Sequence, residues 1–496
     1  MTSKNYKLLE VKLQKIADIN YATALLHWDK ETYMPKKAAA LRSQQLSTLS
    51  ELGHSLFTEK STGILLNKLE KENLNETLEA NVKRTKEDYD KMIKLPGSFV
   101  AESSMLSSKA FHAWIEARKK NDFKIFEDPL DKLISHKRKE ADLLGFSDHP
   151  YDALLDLYEP GLTVSTLNRL FKNVREQLVP FVAELRSKKQ IDTNFLFLKY
   201  PSDKQWNFGI DILKNIGYDF DAGRQDISEH PFTINFGSTD VRVTTRIDEY
   251  DFSNMTWSCI HEGGHALYEQ GLPIDQYGLP CGSAASLSIH ESQSRLWENM
   301  VGRGKNFWKF HYPKLQKIFP KNLSNISLDH FYKAINHIEP NYIRTEADEL
   351  HYHFHVMIRY EIEKSIMEGL IKTSDLRDYW NARYKEYLNV DVPSDLEGIL
   401  QDIHWSHGSF GYFPTYSLGS FYAAQFYEKA KADITNLEKQ IESGNSSELL
   451  HWLRNNIHAH GRKYLPNELC KQVTGSELSL DPFMDYVKLK YSEIAI

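Results

Sequence analysis

The sequence predicts a mostly α-helical protein, organised as one large domain over residues 1–496, with a single short β segment. Three observations predict it. Long stretches keep apolar residues at three- and four-residue spacing. No repeat, low-complexity tract or linker rich in Pro, Gly or Ser divides the chain. Alternation of β-branched residues occurs in one place only. Of the 496 residues 41% are hydrophobic and 12% aromatic, enough to furnish a large core.

Each element has its own local reason. Leu46, Leu49 and Leu52 recur at helical spacing after Pro35, and Gly53 is positioned to cap that helix. A charged helix is expected over residues 79–95, stopped by Pro96 and Gly97, and another over 98–120. Residues 343–370 and 422–442 read as two further long helices. The β segment is different. Residues 232–236 and 241–247 alternate around the turn-forming stretch 237–240, which predicts a β-hairpin. Such a hairpin is either an ordinary structural element or an edge that pairs with an extended peptide.

Charge and composition exclude some functions. A net charge of −7 leaves no basic excess to neutralise phosphates, so nucleic acid is not an expected partner. No run of about 18 apolar residues is present, so no membrane span is expected. Residues 1–7 lead into a charged amphipathic stretch without the pattern of a signal peptide. The three cysteines, Cys259, Cys281 and Cys470, are few, odd in number and far apart. That suits reduced thiols in a cytoplasmic protein.

The most informative segment is His261-Glu262-Gly263-Gly264-His265. Residues four apart share one helix face, so the two imidazoles can grip one metal ion with Glu262 beside it as general base. A catalytic zinc usually takes a third protein ligand and keeps one position open. Glu291, in Ser288-Ile289-His290-Glu291-Ser292-Gln293, is the best candidate, because Ile289, Leu296, Trp297 and Met300 form an apolar stripe that would turn it inward. Arg295, one turn on, could steady it or form a surface pair with it. Arg295 also stands where some zinc peptidases carry an acid that orients a histidine, so that acid must come from elsewhere, with Asp240 and Asp348 as candidates. His351 and His355 are also four apart, but no acid stands between them, and they read as core or hydrogen-bonded histidines. His404 and His407 read as residues lining a site. Two glycines inside a helix cost up to about 1 kcal/mol each relative to alanine. A substrate strand or a neighbouring backbone approaching that face would explain them.

Taken together, several segments resemble the thermostable carboxypeptidase (carboxypeptidase Taq) family of metallocarboxypeptidases. They are the metal motif, His290-Glu291-Ser292-Gln293, Asp240-Val241-Arg242-Val243-Thr244, Ile343-Arg344-Thr345-Glu346-Ala347-Asp348 and Gly398-Ile399-Leu400-Gln401-Asp402-Ile403-His404-Trp405. Trp28 to Pro35 and His149-Pro150-Tyr151 to Asp156 fit as well. The resemblance implies a mostly helical fold with a deep active-site cleft, similar to neurolysin-like zinc peptidases, and a homodimer. It implies release of single residues from peptide C-termini with broad specificity, an oligoendopeptidase being the alternative. It implies one Zn2+ per chain on His261, His265 and Glu291, Co2+ or Mn2+ being possible, with Glu262 as base. Peptides with a free C-terminus are the expected partners. Arg344 is the expected clamp on the substrate carboxylate, and its residue type supports this, since a guanidinium matches a carboxylate two-pronged. An internal pair with Asp348 is the competing role for Arg344, and Arg242 is the competing clamp. Asp240, Arg242 and Thr244 are expected to bind substrate, and His404 and Tyr416 to stabilise the oxyanion.

Overall fold

A computed structural model describes residues 3–188 and 191–494 and is mostly helical. The chain forms two compact units, each assembled from three segments. One contains the chain up to Met92, Ile191–Ile335 and Tyr422–Leu478; the other begins at Ile93 and includes Asn336–Phe421 and the chain from Ser479.

In the first unit, the metal motif lies on the helix Phe252–Glu269. Asp251 starts it, its side chain accepting from Ser253 N. Phe252, Met255, Cys259, Ile260, Ala266, Leu267 and Tyr268 are buried, so core surrounds most of this helix. The motif glycines are where two neighbours press in. A Cβ on Gly263 would sit 2.7 Å from Leu213 Cδ2, on the helix Ser202–Ile216. One on Gly264 would sit 2.7 Å from both the Gln293 carbonyl oxygen and Ser294 Cα, on the helix Leu287–Arg295. The approach that the glycines permit therefore comes from the protein's own helices. Ser286 caps Leu287–Arg295, and a π-helical segment, Leu296–Gly302, continues it. Ile289, Leu296, Trp297 and Met300 are all buried.

The predicted hairpin forms, with β2 (Thr233–Asn235) antiparallel to β3 (Val241–Thr245), after an earlier strand β1 (Gln225–Ile227) that pairs parallel to β3. The strand order β1-β3-β2 makes β3 central. Three residues are too short to show alternation, which is why β1 has no signature in the sequence. Gly237, at φ 113°, makes the turn into β3, with Phe236 N bonded to the Asp240 carbonyl.

Three helix boundaries differ from expectation. The helix Ala39–Thr58 runs through Gly53, which is buried against Asn20 Oδ1 rather than capping an end. The expected 343–370 helix starts only at His351. Arg344–Glu346 is a 3₁₀ turn, and the Asp348 side chain accepts from Leu350 N and His351 N ahead of the helix His351–Met367. The 422–442 stretch belongs to two helices, Pro414–Asp433 and Leu437–Glu442, separated where Asn436 turns left-handed at φ 57°.

The contact at Gly264 is testable by substitution. Gly264→Ala is expected to lower the unfolding free energy by about 1–3 kcal/mol through overpacking. Gly97→Ala has open space around the new methyl group, with nothing within 4 Å, and should be neutral or slightly stabilising. Denaturant unfolding of both variants, with equal losses or none, would contradict this packing.

Candidate metal centre and carboxylate-binding cluster

Among the described residues, His261, His265 and Glu291 form the one group of three whose potential ligand atoms lie within 4.8 Å of one another. Their arrangement is directional. His261 Nε2 and His265 Nε2 lie 3.6 and 3.3 Å from the same oxygen, Glu291 Oε2. The opposite ring faces are occupied. His261 Nδ1 sits 2.9 Å from Glu298 Oε2, and His265 Nδ1 sits 3.0 Å from the His290 carbonyl. A carbonyl can only accept, so His265 carries its proton on Nδ1 and turns a lone pair inward; an ionised Glu298 likewise holds a proton on Nδ1 of His261 and leaves Nε2 facing Glu291. The imidazoles meet edge to face at 4.9 Å.

Charge holds Glu291 in place. Its Oε1 accepts from Arg295 Nε at 2.7 Å and its Oε2 from Ser294 Oγ at 3.0 Å. Burial raises the pKa of this carboxyl, but Arg295 and the two histidines outweigh burial and hold it well below the usual range. Glu298 is held low in the same way by Arg295, His261 and Arg303, against the effect of burial. Arg295 thus bridges the two carboxylates, with Nη1 3.1 Å from Glu298 Oε2. The histidines diverge. His265 is lowered to about 3 by burial and by His290, which stacks on it at 4.4 Å. Burial also lowers His261, but Glu291 and Glu298 raise it overall. Two nitrogen donors and one ionised oxygen, turned inward with their backs satisfied, fit a divalent ion.

Glu262 is buried in the same helix and does not join the trio. Thr233 Oγ1, on β2, lies 2.6 Å from Glu262 Oε2 and 2.9 Å from its backbone carbonyl. Burial raises the carboxyl pKa of Glu262, partly offset by His261 and by the Thr233 hydroxyl. A proton acceptor gains from such a shift.

The remaining sequence-predicted residues fall into two groups. On the sheet, Arg242 forms a two-pronged pair with Asp240, at 2.9 and 2.8 Å, and its guanidinium lies between the Trp28 and Phe236 rings. Thr244 is 1% exposed, and its hydroxyl is engaged with Ser228 Oγ and the Phe232 backbone, bracing the sheet. Arg344, His404 and Tyr416 come together in the second unit. The Arg344 guanidinium lies 4.7 Å from the centre of the Tyr416 ring, and His404 Nε2 lies 3.2 Å from Tyr416 Oη. The internal partner of Arg344 is Asp402 rather than Asp348. Arg344 Nε and Nη2 bond Asp402 Oδ1 at 3.0 and 2.9 Å, and Nη1 bonds Tyr352 Oη. Asp402 Oδ2 is held by the fully buried Arg359. Burial lowers His404 to about 3, so it is a neutral imidazole. His351 and His355 are buried, on Asp348 and on the Tyr384 hydroxyl respectively.

Comparison with known proteins decides the family. The model of the carboxypeptidase Taq (M32) metallopeptidase family matches residues 8–491. The chain belongs to that family. It is 40% identical to carboxypeptidase 1 of Bacillus subtilis (strain 168) over 485 residues, 97% of either chain. It is 39% identical to thermostable carboxypeptidase 1 of Thermus thermophilus, with 95% of each covered. The crystal structure of the M32 carboxypeptidase from Deinococcus radiodurans R1 superposes with a TM-score of 0.97 at 36% identity, covering 99% of this chain and 100% of that one. The protein is therefore a metallocarboxypeptidase, and the family requires a divalent metal.

In this M32 chain the acid behind His261 is Glu298, which the sequence does not single out: the position one turn after Glu291 is Arg295, and Asp240 and Asp348 are the expected alternatives. Asp240 is paired with Arg242 and Asp348 with His351; the acid at His261 Nδ1 is Glu298. The available signal was an acid seven residues after Glu291, two turns along the same face. Thr233 and Arg359 were missed too, because each acts across a long sequence separation. Glu298→Gln should weaken metal binding by about 10- to 100-fold. Chelator competition measures this, and unchanged affinity would show that Glu298 does not orient His261.

Proposed function

We propose that this metallocarboxypeptidase removes single amino acids from peptide C-termini, with His261, His265 and Glu291 holding the ion and Glu262 as general base. The observation that carries the assignment is the convergence of both Nε2 atoms on one oxygen of Glu291, with both Nδ1 positions spent. A divalent ion bound there supplies Lewis acidity, polarising the scissile carbonyl and acidifying water. Glu262, held by Thr233 and made more basic by burial, takes the proton from the attacking water and delivers it to the leaving amine. Tyr416 and the neutral His404 are assigned the developing oxyanion, Tyr416 donating its hydroxyl proton as a hydrogen bond.

Arg344 is assigned the terminal carboxylate of the substrate. Arg344 and Arg359 share the single carboxylate of Asp402, so the trio carries one positive charge in excess in a buried setting. An anionic ligand would balance it. Arg242 is matched one to one by Asp240 and lies between two rings, which supports a positioning role for it and Asp240 at the sheet. Zn2+ as the resident ion rests on the donor set, which Co2+ and Mn2+ also satisfy; metal analysis of protein purified from its source tests it. A cytoplasmic setting rests on three buried, unpaired thiols. Broad specificity and the homodimer rest on family resemblance, tested by a substrate panel and by sedimentation.

The experiment that tests the activity uses an N-blocked dipeptide. Chelation, and separately amidation of the C-terminus, should each abolish cleavage, and a long peptide should yield a ladder shortened from its C-terminus. Cleavage of the amidated substrate, or internal cuts, would replace the exopeptidase by an oligoendopeptidase. Arg344→Ala should cost about 2 kcal/mol or more in kcat/KM on the free-carboxylate substrate. A larger loss in Arg242→Ala than in Arg344→Ala would transfer the clamp to Arg242.

A further inference from the structure

Glu363 is a fully buried carboxylate outside all of the family-like segments, yet Trp405 and Tyr151 of two such segments converge on it together with Gly411. Its Oε1 accepts from the Trp405 indole Nε1–H at 2.7 Å. Its Oε2 accepts from the Gly411 backbone N–H at 2.8 Å and from the Tyr151 hydroxyl. Trp405 directly follows His404, and Gly411 lies three residues before the helix Pro414–Asp433, whose first turn carries Tyr416. One carboxylate therefore straps together the turn bearing His404 and the loop leading to Tyr416.

The strap is built into the fold. Gly411 adopts φ 97°, and a Cβ there would meet the Leu154 carbonyl oxygen at 2.7 Å, at the end of the helix Pro150–Leu155 that carries Tyr151. Loop and helix end are thus pressed together around Glu363. One turn earlier on His351–Met367, Arg359 holds Asp402, two residues before His404. Residues four apart on one helix, Arg359 and Glu363, grip residues three apart on the turn, Asp402 and Trp405. Beyond the strap, the Phe413 ring packs on His404 at 4.4 Å and the Tyr412 ring on Tyr416 at 5.3 Å. Both are carried by the segment whose backbone Glu363 holds.

We propose that Glu363 is a positioning residue for catalysis, setting the separation of His404 and Tyr416 by joining Trp405 to Gly411. The assignment rests on Tyr416 acting on the oxyanion. Two of the three donors, the indole and the backbone N–H, cannot reverse. Glu363→Gln offers one oxygen and one amide to these two donors, so either Trp405 or Gly411 loses its acceptor and the strap opens. Catalytic groups displaced by about 1 Å commonly lose up to about a hundredfold in rate.

The test measures kcat and KM on an N-blocked dipeptide, bound metal and thermal midpoint for full-length, metal-loaded E363Q, Y416F and the double variant. The expected result is a fall in kcat of about tenfold or more for E363Q, with KM and bound metal little changed and the double variant no slower than Y416F. Parental kcat in E363Q, or losses that multiply in the double variant, would overturn the proposal. Parental kcat in Y416F would instead contradict the role of Tyr416 on which it rests. If E363Q does not accumulate as folded protein, Trp405→Phe removes one donor only. It should lower kcat severalfold at constant KM, and parental kcat there would equally overturn the strap.

Discussion

Two helices touch backbone to backbone at Gly264, and the placement of the proposed ligands depends on that contact. With no side chain at this position, two atoms of the Gln293–Ser294 backbone come within 2.7 Å of where a Cβ would sit. This closeness seats Glu291 across from both imidazoles of the neighbouring helix. Two histidines four apart already define one face of a helix. The third donor arrives on a separate element, and only a side chain as small as hydrogen lets that element come near enough.

The buried charges then form one connected set. Arg295 holds Glu291 with Nε and reaches Glu298 with Nη1, while Glu298 takes the back of His261. The guanidinium thus compensates an acidic pair that would otherwise be repulsive in a buried place. The second unit repeats the pattern with opposite sign, two arginines sharing Asp402. The first cluster fits a divalent cation; the second carries the excess positive charge on which the proposed carboxylate role of Arg344 rests.

Local spacing made much of this legible, and contacts distant in sequence did not. The histidine pair, Glu262 and the apolar stripe behind Glu291 follow from helical periodicity, and the hairpin from alternation. The double glycine announced a close approach, but two explanations fitted it, and only the folded chain distinguishes the helices Ser202–Ile216 and Leu287–Arg295 from a substrate strand. Arg344 shows the limit most clearly. Helical spacing offered Asp348, four residues on, as its competing internal partner. Asp348 instead caps the following helix, and Arg344 finds Asp402, 58 residues away. Glu363 left no local signature at all, because its partners, Tyr151 and the stretch from Trp405 to Gly411, are far from it in sequence.

The central claim is that one ion is held by the Nε2 atoms of His261 and His265 together with a Glu291 oxygen. The most direct measurement is a crystal structure of the metal-loaded protein with anomalous data at the metal edge. The predicted result is one peak about 2.0–2.2 Å from those three atoms, with both Nδ1 atoms still bonded to Glu298 and the His290 carbonyl. A peak elsewhere, or an ion held without Glu291, would contradict it.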